Sequence, residues 1–189
     1  MEEKKNSVKK YLFSGKKLDV LKMTYLAVLT AIVVVLQFIP IRIATFELAL
    51  SIPVIVIGSA LCGMGGGAWL GFVFGFVVLF LPGTAAYMSF NAFGTILTVL
   101  LKGILAGACA GVVYNLLKRF NCYLAAFVAA VSATVVNTGV FLIGSLIFFE
   151  GNIQTVISVL ISVNFLVELA VNVILVPTVY RLINIKKKK

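Results

Sequence analysis

The chain has 189 residues, 62% of them hydrophobic and 12% charged, with a formal net charge of +10. So apolar a composition excludes a soluble domain of this size, and its continuously apolar runs, lacking period-two alternation, exclude a β-barrel. The excess charge does not point to nucleic acid: seven of the 16 basic residues lie in the first 22 positions and four are Lys186 to Lys189, where they read as topology and lipid-surface charge.

In chain order, residues 1–19 form a Lys-rich tail with no small-residue cleavage site behind it, so no secretory signal is expected. Helix 1 is predicted over 20–39, ending at Pro40. A loop holding Arg42 and Glu47 follows. Helix 2 is predicted over 46–61 with a kink at Pro53, then a turn through Cys-Gly-Met-Gly-Gly-Gly, and helix 3 over 68–81. Gly63, Gly67, Gly71 and Gly75 are spaced by four, leaving one helix face nearly bare. PGTAAYMSF, residues 82–90, reads as a loop carrying Tyr87 and Phe90, apolar enough to fold back as a lid. Helix 4 spans about 91–117, and Lys118, Arg119 and Asn121 make the next loop. Helix 5 runs over 123–149 and helix 6 over 153–181, followed by a second basic tail. The expected fold is all-α: a polytopic integral membrane protein with a six-helix bundle over residues 20–183, flanked by basic tails at 1–19 and 184–189.

Six crossings place both termini on one side. Fourteen basic residues then fall on that side and only Arg42 on the other, which predicts cytoplasmic termini. The three cysteines, Cys62, Cys109 and Cys122, fall in or near the cytoplasmic half. They are odd in number and show no metal spacing, so neither a disulfide framework nor a metal site is expected. His is absent, which removes the commonest general base and excludes Ser-His hydrolase chemistry. With no paired-carboxylate constellation, acidic metal motif or nucleotide loop either, neither an enzyme nor a cofactor is expected.

Helix 4 carries two patterns end to end. Asn91, Thr95, Thr98 and Lys102 follow at spacings of four, three and four, forming one polar stripe. Gly103, Gly107 and Gly111 then form a small-xxx-small strip that lets another backbone approach closely. Lys102, Asn137 on helix 5 and Glu168 on helix 6 reach a similar, central depth. A charge there costs about 2.5–3.5 kcal/mol on insertion scales, so these residues should face the bundle interior, and a Lys102–Glu168 ion pair is the simplest way to lower that cost. Thr134, Asn137 and Thr138 share helix 5 with Phe141. Asn164, Glu168 and Asn172 share a face of helix 6. Together these residues suggest a pocket open to the outside between helices 4, 5 and 6. The bland alternative is a structural ion pair with interhelical hydrogen bonds.

The sequence resembles the substrate-binding S component of energy-coupling factor (ECF) vitamin transporters. The resemblance covers nearly the whole chain. It is carried by AVLTA in helix 1, with Ala27 and Ala31 at the Ala-xxx-Ala spacing, by Ile52-Pro53 followed by GMGGGAWLGFVFG, and by TILTVLLKGILAG in helix 4. It implies a bacterial cytoplasmic-membrane protein that captures a vitamin-like small molecule from outside and docks through Ala27 and Ala31 on a membrane coupling subunit driven by two cytoplasmic ATPases. The substrate-binding candidates are Arg42, Tyr87, Asn91, Thr95, Thr98, Lys102, Asn137, Asn164 and Glu168. The helix 2–3 pattern is similar to the pantothenate type, ahead of riboflavin or another vitamin. Two other readings are an autonomous ion-coupled carrier or channel and a membrane-embedded assembly protein.

Overall fold

The computed structural model describes residues 2–39, 42–43, 46–47, 50–148, 165–166 and 168–176. Its elements are α1 (Glu2–Phe38), β1 (Arg42–Ile43), β2 (Phe46–Glu47), α2 (Ser51–Val78), α3 (Pro82–Phe90), α4 (Ala92–Leu117) and α5 (Cys122–Phe148). Residues 165–166 and 168–176 are helical as well, and the latter are called α6 below. Among the described residues, four stretches are long and apolar enough to cross a membrane: Val20–Phe38, Ser51–Val78, Ala92–Leu117 and Cys122–Phe148.

Several boundaries differ from the sequence expectation. The tail does not separate from helix 1, since α1 is already helical at Glu2. Phe46 and Glu47 do not open a helix. They pair antiparallel with β1, with Arg42 opposite Glu47 and Ile43 opposite Phe46. Helix α2 begins at Ser51, so Pro53 falls in its first turn. The amide that proline lacks would have had no intrahelical partner there, and no kink results. Residues 82–90 are a helix rather than a loop, with Pro82 at its first position and Leu81 extended before it; the fixed φ of proline suits a helix start. Residues 153–164 and 177–181 of the sixth predicted helix lie outside the described residues.

The chain reverses at Gly63, the one residue inside α2 with non-helical angles (φ 81°, ψ −173°). This is a region essentially reserved for glycine. A side chain on Gly67 would strike Ser59 Oγ, and one on Gly58 would strike the Leu70 side chain. Residues eight and twelve apart along one straight helix cannot meet, so α2 is two antiparallel arms, 51–62 and 64–78. The expected six-residue turn is compressed into one glycine.

The second arm lies against α4 backbone to backbone. Side chains on Gly67 and Gly71 would collide with the carbonyls of Gly107 and Gly103, and side chains on those two with the carbonyls of Gly67 and Gly71. One on Gly75 would lie 2.7 Å from the Val99 carbonyl oxygen, and one on Gly111 would lie 2.6 Å from Met64 Cα. The glycine strips are therefore the two halves of a single antiparallel seam. Ser59 Oγ lies 3.0 Å from the Gly107 carbonyl and 2.8 Å from that of Ile55, so its hydroxyl reaches both. On its other side α4 packs against α5. There Ala125, Ala126, Ala129, Ala130 and Ala133 are buried with Ile52, Val56, Ala110, Tyr114 and Val176. Helix α1 packs on α2 through Val33 against Ile55, Leu70 and Phe74, and Trp69 Nε1 donates to Thr30 Oγ1 at 3.3 Å.

Asn91 joins α3 to α4 in extended conformation. Its Oδ1 accepts from the Gly94 amide at 2.9 Å, and its Nδ2 donates to the Phe148 carbonyl at 3.3 Å. The same side chain thus caps the start of α4 and ties it to the end of α5. Asn121 caps α5 in the same way, accepting from the Tyr123 amide at 2.9 Å.

Two stability predictions follow from these contacts. Gly71→Ala forces backbone apart from backbone and should cost about 1–3 kcal/mol. Thermal unfolding in detergent should then show a clear drop in Tm, whereas Gly139→Ala, with nothing within 4 Å of the added methyl, should not lower it. Equal effects of the two substitutions would rule out the seam. Asn91→Ala removes a cap and an interhelical bond and should lower stability by about 1–2 kcal/mol. Asn91→Asp keeps the cap and should recover part of the loss.

Candidate functional site

The polar stripe of α4 faces α5. Thr98 abuts Gly144, where a Cβ would strike the threonine side chain. The Lys102 ammonium lies 4.9 Å from the centroid of the Phe141 ring on α5 and 5.8 Å from that of Phe74 on α2. Tyr87 of α3 meets Phe141 edge-on, with centroids 5.6 Å apart and ring planes at 87°. Phe141 is therefore touched by a cation from α4 and an aromatic ring from the short helix above. Both contacts match the ring's negative face and positive edge.

The facing segment α6 brings Glu168 and Asn172 into the same layer. Asn172 Nδ2 donates to Thr134 Oγ1 of α5 at 2.8 Å, which sets α5 and α6 side by side. Glu168 lies one turn before Asn172, and Asn137 lies three residues beyond Thr134. In this pairing the two come to the same level. Lys102 and Glu168 lie within electrostatic reach of one another. Among the described residues, however, no direct ion pair joins them, and Glu168 Oε1 is buried without a hydrogen bond. The expected ion pair is thus replaced by an ammonium held on two aromatic rings beside an unengaged carboxylate oxygen.

The sequence candidates divide by what their polar atoms do. Asn91 is committed to capping, and Thr95 Oγ1 donates to the Asn91 carbonyl at 2.8 Å. Both are occupied within the protein. Among the described residues, Thr98 Oγ1, Asn137 Oδ1 and Glu168 Oε1 are buried with no partner, and so is Asn172 Oδ1. Tyr87 is placed at the Phe141 ring. Arg42 lies on β1, apart in sequence from this layer, and Asn164 lies outside the described residues. Ala27 and Ala31 are exposed on α1.

Sequence reasoning passed over Phe74, whose contact with Lys102 has no sequence signal because it comes from another helix. It noted Phe141, Thr134 and Asn172 by their spacing without assigning them to the site. A separate cavity of about 580 Å³ lies between α1, the first arm of α2 and Leu175. Its walls are aliphatic except for Thr24 and Tyr25, so it lacks the converging polar groups of the layer around Lys102.

Among the described residues no cluster of His, Cys, Asp or Glu could hold a metal ion. What the layer around Lys102 can do is bind: it combines one cation, aromatic faces and unpaired oxygens inside an apolar bundle. The family model described as "ECF transporter, substrate-specific component" matches residues 21–180. No curated protein and no solved structure gives a significant match. With nearly all of its membrane-spanning part covered by that match, the chain belongs to the family of substrate-specific components of ECF transporters.

Proposed function

We propose that this chain captures an anionic, vitamin-like small molecule in the layer between α4, α5 and α6, with Lys102 holding the anionic group. The family is one of transporter components rather than enzymes, and the chain is a membrane-embedded, substrate-binding subunit. The observation that carries the finer reading is the Lys102 ammonium. It is held on Phe141 and Phe74 in an apolar bundle, without a direct carboxylate contact among the described residues. A buried cation left without an anion is costly, and a ligand carboxylate relieves that cost with a charge-assisted hydrogen bond.

Pantothenate suits this arrangement best, ahead of riboflavin or another vitamin. Its carboxylate can meet Lys102, and its amide and hydroxyls can meet the amides and hydroxyls of α5 and α6. Tyr87 on α3 stands at the Phe141 edge, where it can cover a bound molecule.

The architecture proposed for this role is a six-helix bundle in a bacterial cytoplasmic membrane: α1, the two arms of α2, α4, α5 and the helix containing 168–176. Both termini are cytoplasmic, following the distribution of basic residues. The exposed Ala27 and Ala31 on α1 support docking of that face on a membrane coupling subunit energised by two ATPases. Small residues let a partner helix approach closely.

Mass spectrometry of molecules released from the purified protein should identify an anionic, vitamin-sized ligand. Equilibrium binding should show that Lys102→Ala weakens it at least about 30-fold, the effect of losing about 2 kcal/mol from a buried charged contact. Unchanged affinity in that variant removes Lys102 from the site. Ala27→Trp or Ala31→Trp should abolish co-purification with the coupling subunit and ATPases while leaving ligand affinity intact. Gradient-driven uptake by this chain alone in liposomes would instead favour an autonomous carrier.

A further inference from the structure

We propose that the α5–α6 end of the site is an acceptor-rich layer that selects ligands carrying hydrogen-bond donors, hydroxyl or amide N–H, away from the anionic group. The inference rests on the proposed function, in that it takes this layer to be the ligand site. It adds which chemical groups the ligand must present there.

The orientation of Asn172 is fixed by its neighbour. Thr134 Oγ1 donates its single proton to the Ala130 carbonyl at 3.0 Å, so toward Asn172 it can only accept. It accepts from Asn172 Nδ2 at 2.8 Å. Asn172 Oδ1 must therefore point elsewhere, and among the described residues it has no partner. Asn137 Oδ1 and Glu168 Oε1, at the neighbouring level of the same two helices, have none either.

Thr98 Oγ1 adds a fourth atom, from α4, that is unpartnered among the described residues; as a hydroxyl it can accept as well as donate. Comparable hydroxyls nearby are tied back to their own helices: Thr95 donates to the Asn91 carbonyl and Ser145 to that of Phe141, both at 2.8 Å. Thr98 is not. These four residues are among the most buried polar groups, with exposures of 1% for Asn172, 3% for Thr98, and 7% for Asn137 and Glu168.

Two amide oxygens and a carboxylate oxygen can only accept. Left unpaired in an apolar bundle they are costly, and a second anion placed among them would be repelled. A ligand bringing hydroxyl or N–H donors satisfies all of them at once, while its anionic end remains at Lys102. Dicarboxylates and other ligands anionic at both ends are excluded by the same chemistry.

The test uses the full-length protein in detergent. In the ligand-free state, Asn137→Leu keeps the branched shape and deletes one orphaned acceptor. Its Tm, measured in choline chloride, should rise by about 2–4 °C. An unchanged or lower Tm overturns the proposal, because the oxygen must then already be satisfied without ligand.

A second arm compares pantothenate with N-(3,3-dimethylbutanoyl)-β-alanine, which keeps the carbon skeleton, carboxylate and amide but lacks both hydroxyls. The wild-type protein should prefer pantothenate at least tenfold, and Asn137→Leu should reduce that preference. Equal binding of the two by the wild-type protein also overturns the proposal. If neither binds, the pantothenate reading fails, and the Tm shift alone still decides the acceptor layer. A wild-type Tm raised by sodium chloride over choline chloride, and not raised in Asn137→Leu, reassigns the oxygens to a bound cation and overturns the proposal.

Discussion

Lipid tails are as apolar as leucine, so helices inside a bilayer gain little by burying apolar surface against one another. They associate where packing is close enough for dispersion and hydrogen bonding to add up. In this protein that place is the seam between the second arm of α2 and α4. Gly67 and Gly71 face Gly107 and Gly103, with no room for a single Cβ between them. Close approach on that scale sets both the distance and the rotation of the two helices, because turning either one would drive a larger side chain into the gap. Ser59 adds a hydrogen-bond contact with the Gly107 carbonyl to the same seam.

The position of the polar layer around Lys102 follows from that constraint. On α4 the glycine face and the polar stripe lie roughly 150° apart at 100° per residue. Locking the glycines against α2 therefore turns Thr98 and Lys102 toward α5. The Lys102 side chain then bridges the two sides, reaching Phe141 of α5 and Phe74 of α2. Packing and the polar stripe thus occupy different faces of one helix, and the packing face aims the polar one.

The layer itself runs against stability. Asn91 and Thr95 satisfy their hydrogen bonds within the protein, as a structural polar residue in a membrane helix should. Among the described residues, Thr98, Asn137, Glu168 and Asn172 each keep an unpartnered buried oxygen. Polar groups that stay unsatisfied inside an otherwise well-packed bundle break a local rule, and such breaks concentrate where function requires them. The same partition separates members of one stripe that look alike in sequence: the two nearest the helix start hold the fold, and the two further along face the polar layer.

Hydropathy, glycine spacing and the depth of polar residues are local properties, so the sequence alone determined much of this protein. It marked the apolar spans, the break before α2, both glycine strips, the α4–α5 turn, and Lys102, Asn137 and Glu168 as residues of one level. What depends on rotation and register between helices was decided only by the tertiary structure. It reduced the glycine-rich turn to Gly63 and joined the two glycine strips into one seam. It made residues 82–90 a helix and moved the start of α2 past a two-residue strand pair. It also seated Lys102 on aromatic rings instead of on Glu168, since nothing in the spacing along α4 says which ring of α2 or α5 will stand opposite. Asn172 shows the limit most plainly. Its spacing from Glu168 put it on the right face, but the direction of its amide is set by a threonine 38 positions away, whose own proton is committed to its helix.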